Sequence, residues 1–194
     1  DIMIRNTKPA LNIVSDECQL DNPEKLQYLL MRDLVSGKHD DEKEMFSIKL
    51  SQLVSSEQAF SNSFRSSRQS NKYKSIKTFF KNKHLIFEKK FNALLDIIKN
   101  KALPTDKKVV VVFCRFIPTI QALEVHLKKL YSDSNVLRLD GSTTNARRRK
   151  EFLQKVEQVN QQAKDVVIFL VSQVGNEGLD FDRFSDTVVH FDGH

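Results

Sequence analysis

The sequence lacks the features that mark secreted, membrane-spanning and disulfide-bonded proteins. Cysteine occurs only at Cys18 and Cys114 of 194 residues, which argues against a disulfide scaffold and fits a reducing compartment. No apolar run reaches the roughly 18 residues that a membrane helix needs. The chain opens with Asp1 and has no basic segment followed by an apolar one, as a secretory signal would. We therefore expect an intracellular fragment, excised from a longer protein, with no membrane partner.

Patterns typical of metal sites and catalytic sites are also scarce. The five histidines are not spaced with the cysteines as zinc ligands are, so no metal site is predicted. Cys114 ends an apolar run and is interpreted as a small core residue, not as a nucleophile. His190 and His194 flank Asp192, but a strand with alternating side chains explains His190 more simply than a catalytic dyad does. We expect no catalytic residue in this chain.

The net charge of +6 is concentrated in one stretch of the chain. Between Asn71 and Lys90 there are seven lysines and one acid, Glu88, and seven minus one gives +6, the whole excess. A concentrated basic surface favours phosphate polymers through counterion release. Aromatic residues lie among these lysines, as they do in some nucleic-acid grooves. The alternative is an amphipathic stretch whose aromatic side chains pack in the core. The four aromatic residues concerned are Tyr73, Phe79, Phe80 and Phe87.

After Lys107 the sequence alternates between apolar runs and amphipathic segments. Runs rich in β-branched residues suit strands that are buried on both faces, and strands alternating with helices require a parallel sheet. The pattern therefore predicts an α/β fold. Its predicted strands are Val109–Cys114, Asn135–Leu139, Asp165–Val171 and Thr187–Phe191, and its predicted helices are Pro118–Tyr131 and Asn145–Gln162.

The first half of the chain is predicted to be helical, after a short strand that contains Ile2 and Ile4. Leucine and phenylalanine residues recur there at helical spacing. The composition changes near Lys107, which divides the chain into residues 1–106, a strand with a helical insertion, and residues 107–194, the α/β core. The predicted helices of the first part are Asn22–Val35, Glu42–Val54, one that starts at Ser55, and Phe91–Lys101.

Three polar turns follow successive predicted strands. Arg115-Phe116 follows the first strand, Asp140-Gly141-Ser142-Thr143 the second, and Ser172–Asp180 the third. Ligands of open α/β sheets sit outside the carboxyl ends of the strands. Glycines allow a phosphate to approach the main chain, and a serine hydroxyl can donate to its oxygens. The alternative is that the glycines merely shape tight turns.

These stretches resemble the second RecA-like lobe of superfamily-two helicases, and more narrowly the Swi/Snf-type DNA translocases and their RapA-like branch. The resemblance implies a RecA-like parallel sheet flanked by helices, with a helical insertion in the N-terminal half. Gln19–Lys89 matches only as that insertion. The stretches that carry the resemblance are Met3–Lys8, Val109–Phe116, Leu139–Thr143 with Arg148, Val171–Phe181 and Val188–His194.

The resemblance implies nucleic-acid binding by four residues. Ser172 stands where the family places a hydroxyl that holds a backbone phosphate. Gly141 and Ser142 match the turn that touches the tracked strand, and Arg115 belongs to a motif that faces the same strand. Double-stranded DNA is the implied partner.

The resemblance also implies that ATP and Mg bind only in the intact two-lobe parent. Gly178 and Asp180 stand where the family's fifth motif approaches ATP and its ribose. The first RecA-like lobe, an implied partner, supplies a phosphate loop and an Asp-Glu-x-His box, and neither motif occurs here. The motif with the arginine finger would follow His194. We therefore expect the fragment to bind no cofactor stably and to be inactive alone.

The sequence leaves two alternative functions open. One is a non-catalytic nucleic-acid or protein-binding module. The other is a lobe of a DEAD-box-like RNA helicase, although the Asp140–Thr143 turn and the long helical insertion argue against it. The RapA-like branch, which recycles RNA polymerase, implies that polymerase as a protein partner and a bacterial cytoplasm in preference to a nucleus.

Overall fold

The structure is a computed structural model of the chain. Its described part comprises a helical segment, residues 41–64, and an α/β core, residues 84–102, 108–141, 166–172 and 185–192. Isolated positions complete the described set: residues 25, 27–29, 32, 74, 78, 80–81, 150, 153–154, 158 and 181.

A four-stranded parallel sheet forms the centre of the α/β core. Its strands are β1 Val109–Cys114, β2 Val136–Leu139, β3 Val167–Ser172 and β4 Thr187–His190. They lie in the order β2-β3-β1-β4, and each neighbouring pair is parallel. The predicted parallel sheet is thus confirmed.

Both faces of the two central strands are buried. All six residues of β3 are buried, as the unbroken apolar run predicts. Val110, Val112 and Cys114 face one core cluster with the helices, whereas Val109 and Val111 face a second cluster that includes Phe181. The two central strands β1 and β3 therefore lie in the interior of the core.

Two helices cover the first face of the sheet. They are α3, Leu85–Ile97, which continues as a π-helical turn over Ile98–Ala102, and α4, Ile117–Leu127, which follows β1. His126 of α4 lies with its ring centroid 5.1 Å from that of Phe87 and 5.5 Å from that of Phe91. These ring contacts fix α3 against α4 at the level of the sheet.

The helical segment packs against α3 and α4. It consists of α1, Asp41–Ser55, and α2, Glu57–Asn62, whose N-cap hydroxyl at Ser56 accepts the backbone N–H of Ala59 at 3.1 Å. Its own cluster is built from aromatic and aliphatic side chains. The buried members of that cluster are Leu53, Phe60, Phe64, Phe80 and Ile86.

A buried hydroxyl cluster joins the helical segment to α4. The Oγ1 of Thr119 lies 2.6 Å from the Oγ of Ser55 and 2.8 Å from the Oγ of Ser56. All three residues are buried. The contact satisfies the polar groups that packing the two helices together takes out of water.

Most predicted elements that fall on described residues are confirmed within a few residues. The helix predicted to continue over Phe91–Lys101 begins at Leu85, where Ile86 and Phe87 already face the core. Residues 25, 27–29 and 32 are helical within the predicted Asn22–Val35, and residues 150, 153–154 and 158 within the predicted Asn145–Gln162. The remainder of those two helices and the predicted first strand lie outside the described residues.

The aromatic residues of the basic stretch pack inward where the structure describes them. Phe80 and Phe87 are buried, Phe80 in the cluster of the helical segment and Phe87 in that of the sheet. The packing interpretation therefore holds for these two, whereas Tyr73 and Phe79 lie outside the described residues. Among the described residues, no helix combines the length and the apolar character that crossing a bilayer demands.

Candidate functional site

Four short segments lie together at the carboxyl edge of the sheet. Arg115 follows β1, Asp140-Gly141 follows β2, Ser172 is the last residue of β3, and Phe191-Asp192 follows β4. Because all four strands are parallel, these segments share one edge by topology. The convergence expected from the sequence is present for the residues that the structure describes.

The strand order is one that favours a ligand crevice at the carboxyl ends of β1 and β3. The connection from β1 leads towards the β2 edge of the sheet, and the connection from β3 leads towards the opposite edge, at β4. Loops that diverge in this way open the space in which α/β sheets hold ligands. Cys114 is registered against Ser172 at the end of the β1–β3 ladder, so Arg115 and Ser172 border this crevice.

The residues at this edge differ in how far solvent reaches them. Arg115 and Gly141 are exposed, whereas Ser172 is only 6% exposed. The guanidinium carbon of Arg115 lies 5.5 Å from the ring centroid of Phe116, which favours the cation through its π-face. Arg115 and Gly141 are therefore the positions that a large ligand meets first.

The backbone at Arg115 is held by a carboxylate that follows β4. The Oδ2 of Asp192 accepts the Arg115 N–H at 2.6 Å, next to the bond from the Phe191 N–H to the Phe113 carbonyl at 2.9 Å. Lys90 Nζ lies 3.6 Å from the Oδ1 of Asp192, and their side chains are 11% and 9% exposed. The hydrogen bond from the Arg115 N–H to the Asp192 carboxylate is charge-assisted, and such a bond is stronger than one between neutral groups.

A second carboxylate is buried beneath the β2 turn. Asp140 has no solvent exposure, and its Oδ2 forms an ion pair with the Nε of Arg138 at 3.0 Å. Arg138 also donates from Nη1 to the Oε2 of Glu124 on α4 at 2.8 Å. The guanidinium therefore links the turn that carries Gly141 to the helix that follows β1.

Cys114 lies below Asp192 and is not a nucleophile. Burial raises the pKa of the Cys114 thiol well above its ordinary value, and the negative charge of Asp192 raises it further, while Lys90 opposes both. A thiol must ionise to attack, and this environment suppresses ionisation. The interpretation of Cys114 as a core residue is confirmed by its burial.

The comparison with protein families found one matching model. It is described as the helicase conserved C-terminal domain and matches residues 89–194, which are 106 of the 194 residues. The chain belongs to this helicase family. It is a C-terminal lobe of a superfamily-two helicase with a RecA-like α/β fold. The comparisons with curated proteins and with solved structures found no match.

The structure of the helicase lobe places three of the six residues that the resemblance assigns to function. Arg115, Gly141 and Ser172 lie at the carboxyl edge. Ser142, Gly178 and Asp180 lie outside the described residues, so their roles stay predictions. The described residues also do not gather three or more side chains that could hold a metal ion.

Three residues of this edge are not identified by sequence reasoning. Asp192 is considered there only as a member of a catalytic dyad, Lys90 is counted as part of a basic surface, and Arg138 carries no sequence signal. Lys90 does not extend freely into solvent, because its ammonium group contacts Asp192 and the Val54 carbonyl and its side chain is only 11% exposed. Apart from the Arg138–Asp140 pair, these contacts join residues distant in sequence, so the three-dimensional structure of the helicase lobe is needed to bring them together.

Proposed function

We propose that this helicase lobe is the second motor lobe of an ATP-dependent, Swi/Snf-type DNA translocase, and that its carboxyl edge grips the backbone of double-stranded DNA. The observation that supports the proposal is the position of Arg115. Arg115 is exposed at the carboxyl ends of β1 and β3, while its backbone is tied to Asp192. A cation on a rigid support is suited to a phosphate, because little side-chain and loop freedom is lost on binding.

The neighbouring residues complete a surface that suits a phosphate chain. Gly141, exposed after β2, has no side chain, so a backbone phosphate can approach its main chain closely. Ser172 ends β3 on the other side of the crevice and is proposed to donate its hydroxyl once the ligand is seated. Ser142 is assigned to the same contact. Such contacts position a protein on nucleic acid without reading its sequence.

ATP is proposed to bind between this lobe and the first lobe of the same parent chain. Gly178 and Asp180 are assigned to the approach of ATP and its ribose when the lobes close. Mg and most phosphate contacts come from a first lobe, so we expect no measurable ATP hydrolysis by this chain alone. RNA polymerase and a bacterial cytoplasm stay the proposed protein partner and compartment.

Binding of short fluorescent duplexes to the chain tests the grip at Arg115. We expect Arg115→Gln to weaken binding of duplex DNA about fivefold, the effect of losing roughly 1 kcal/mol from an exposed charge contact. The slope of log affinity against log salt should also become less negative by about 0.9, the value for one phosphate contact. Both changes are expected at every DNA sequence.

Lys129→Gln is the matched control for this experiment. Lys129 is also exposed, but it follows the end of α4 far from the carboxyl edge, and its removal changes the net charge equally. We expect it to leave the affinity and salt slope unchanged. Equal effects of the two variants would reduce the binding to non-specific charge attraction. Tighter binding of duplex RNA than of duplex DNA would favour the DEAD-box-like alternative.

A further inference from the structure

We propose that Asp192 is a positioning residue for the nucleic-acid contact at Arg115, and that Lys90 connects this positioning to the helical segment. The inference rests on the proposed function, because it concerns the same contact. It assigns roles to an acid that does not touch the ligand and to a partly buried lysine that contacts this acid instead of phosphate.

The position of Asp192 is compatible with a phosphate-binding edge only if its negative charge points away from the ligand. A carboxylate at a phosphate-binding edge repels the ligand. Here Oδ2 accepts the N–H of Arg115 at 2.6 Å, and Oδ1 lies 3.6 Å from the ammonium of Lys90. The negative charge of Asp192 therefore interacts with the Arg115 backbone and with Lys90. The exposed Arg115 guanidinium can then contact the ligand.

The bond to Asp192 extends the β1–β4 pairing by one step. The last main-chain bond between these segments runs from the Phe191 N–H to the Phe113 carbonyl at 2.9 Å. Arg115 lies just beyond this bond, past the end of the main-chain pairing with the segment that follows β4. The Asp192 carboxylate supplies the next anchor, so the Cα of Arg115 is fixed relative to the sheet.

Lys90 brings a third element to the same point. Its Nζ donates to the main-chain carbonyl of Val54 at 3.0 Å, in the last turn of α1, where helix carbonyls lack intrahelical partners. The same ammonium lies 4.4 Å from the ring centroid of Phe191. Val54 precedes the matched helicase domain, which begins at residue 89. A shift of the helical segment is therefore transmitted through Lys90 and Asp192 to Arg115.

Duplex DNA binding by single and double variants of the chain tests this inference. We expect Asp192→Ala to weaken binding about two- to fivefold, although removing a negative charge near phosphate would by itself strengthen it. In the Arg115→Gln background the same change should cause no further weakening, because residues that act through one contact are not additive. Lys90→Met should likewise weaken binding only while Arg115 is present.

Asp192→Asn is the conservative variant. Its amide oxygen can still accept the Arg115 N–H, so we expect it to bind duplex DNA at least as tightly as the wild-type chain. It also keeps the test decisive if the alanine variant unfolds, which a thermal melt of each variant would show. Weaker binding by the asparagine variant would then contradict positioning through this bond.

The outcomes separate this inference from the proposed function. If Arg115→Gln weakens binding but Asp192→Ala does not, the positioning role of Asp192 is wrong, while the contact between Arg115 and DNA is supported. The role is also wrong if Asp192→Ala weakens binding equally in both backgrounds. If Arg115→Gln has no effect on binding, the contact itself is absent, and both proposals are overturned.

Discussion

The carboxylate of Glu57 accepts the backbone N–H of Ile86 at 2.8 Å and so caps α3 from the helical segment. The same carboxylate accepts the N–H of Phe87 at 3.2 Å and the side-chain amide of Gln27 at 2.8 Å. His84, the N-cap residue of α3, makes no side-chain capping bond within the described part of the chain. The helicase lobe therefore depends on a residue that precedes the matched domain for the start of α3.

Removal of this carboxylate should destabilise the fold. Glu57→Ala leaves the N–H groups of Ile86 and Phe87 buried without their acceptor, and each bond to a charged group contributes about 1.5–3 kcal/mol. Because burying the carboxylate itself carries a cost, we expect a net loss of about 2 kcal/mol in the free energy of unfolding. Urea-induced unfolding of the two proteins measures the difference.

Gln58→Ala is the control for that change. Gln58 is exposed on α2, directly beside Glu57 in sequence, and alanine is a good helix former. We expect its effect to stay within about 0.5 kcal/mol. A Glu57→Ala protein as stable as the Gln58→Ala protein would show that α3 does not need the cap.

The buried carboxyl of Glu57 should also give stability a defined pH dependence. Burial raises its pKa above the ordinary value of 4.5, although hydrogen bonds from its own backbone, Ile86, Gln27 and Phe87 oppose the shift. Since the folded pKa is raised, the contribution of this group is fully present below pH 4.5 and is lost as pH rises through the folded pKa. The wild-type chain should thus lose stability relative to Glu57→Gln as pH rises from 4.5.

Unfolding free energies of wild type and Glu57→Gln, measured across this pH range, test the prediction. The difference, wild type minus variant, should fall with pH and then level off above the folded pKa. Other titrating groups cancel because both proteins share them. A difference that is flat, or that grows with pH, would contradict a raised pKa.

The hydroxyl group of Thr119 should contribute to the stability of the fold. Thr119→Val keeps the shape of the side chain but removes the partner of the Ser55 and Ser56 hydroxyls, all of them buried. A buried polar group left without its partner costs about 1–3 kcal/mol, and we expect a loss in this range on chemical denaturation. The reverse swap Val125→Thr, on the exposed face of the same helix, should cost less than about 0.5 kcal/mol. Equal losses would show that the hydroxyl cluster contributes nothing.

The ion pair beneath the β2 turn should be sensitive to loss of its cation. Arg138→Met removes a guanidinium that contacts both Asp140 and Glu124, and Asp140 has no solvent exposure. Taking away one partner of a buried pair costs about 3–5 kcal/mol, and partial exposure of Arg138 lowers our expectation to about 2–3 kcal/mol. Lys129→Met makes a similar change at an exposed site and should shift the melting temperature little. A melt of Arg138→Met that matches it would refute the role of the pair.

The strands were predictable because their sequences leave few alternatives. Val109–Cys114 was predicted with the observed bounds, since an apolar run lies between Lys108 and Arg115. Thr187–Phe191 was predicted one residue too long, because Phe191 still packs in the core after the strand has ended. The strand order β2-β3-β1-β4 was not predicted, because it is set by tertiary packing between segments that are distant in sequence.

The buried polar contacts could not be predicted, because their partners are far apart in sequence. Ser55-Ser56-Glu57 indicates a helix start, and it is one, yet the Glu57 side chain caps a different helix. Lys90 belongs to a basic stretch and was counted as surface charge, but its ammonium group contacts Asp192 and the Val54 carbonyl. The common edge of Arg115, Gly141 and Ser172 was predictable, because parallel strands end together.

Nucleic-acid-stimulated ATP hydrolysis by the intact two-lobe parent tests the central claim most directly. The account predicts that duplex DNA accelerates turnover. It also predicts that Arg115→Gln raises the DNA concentration needed for half-maximal stimulation about fivefold, whereas Lys129→Gln does not. An intact parent that duplex DNA fails to stimulate, or an Arg115→Gln variant that responds to DNA as wild type does, would contradict it.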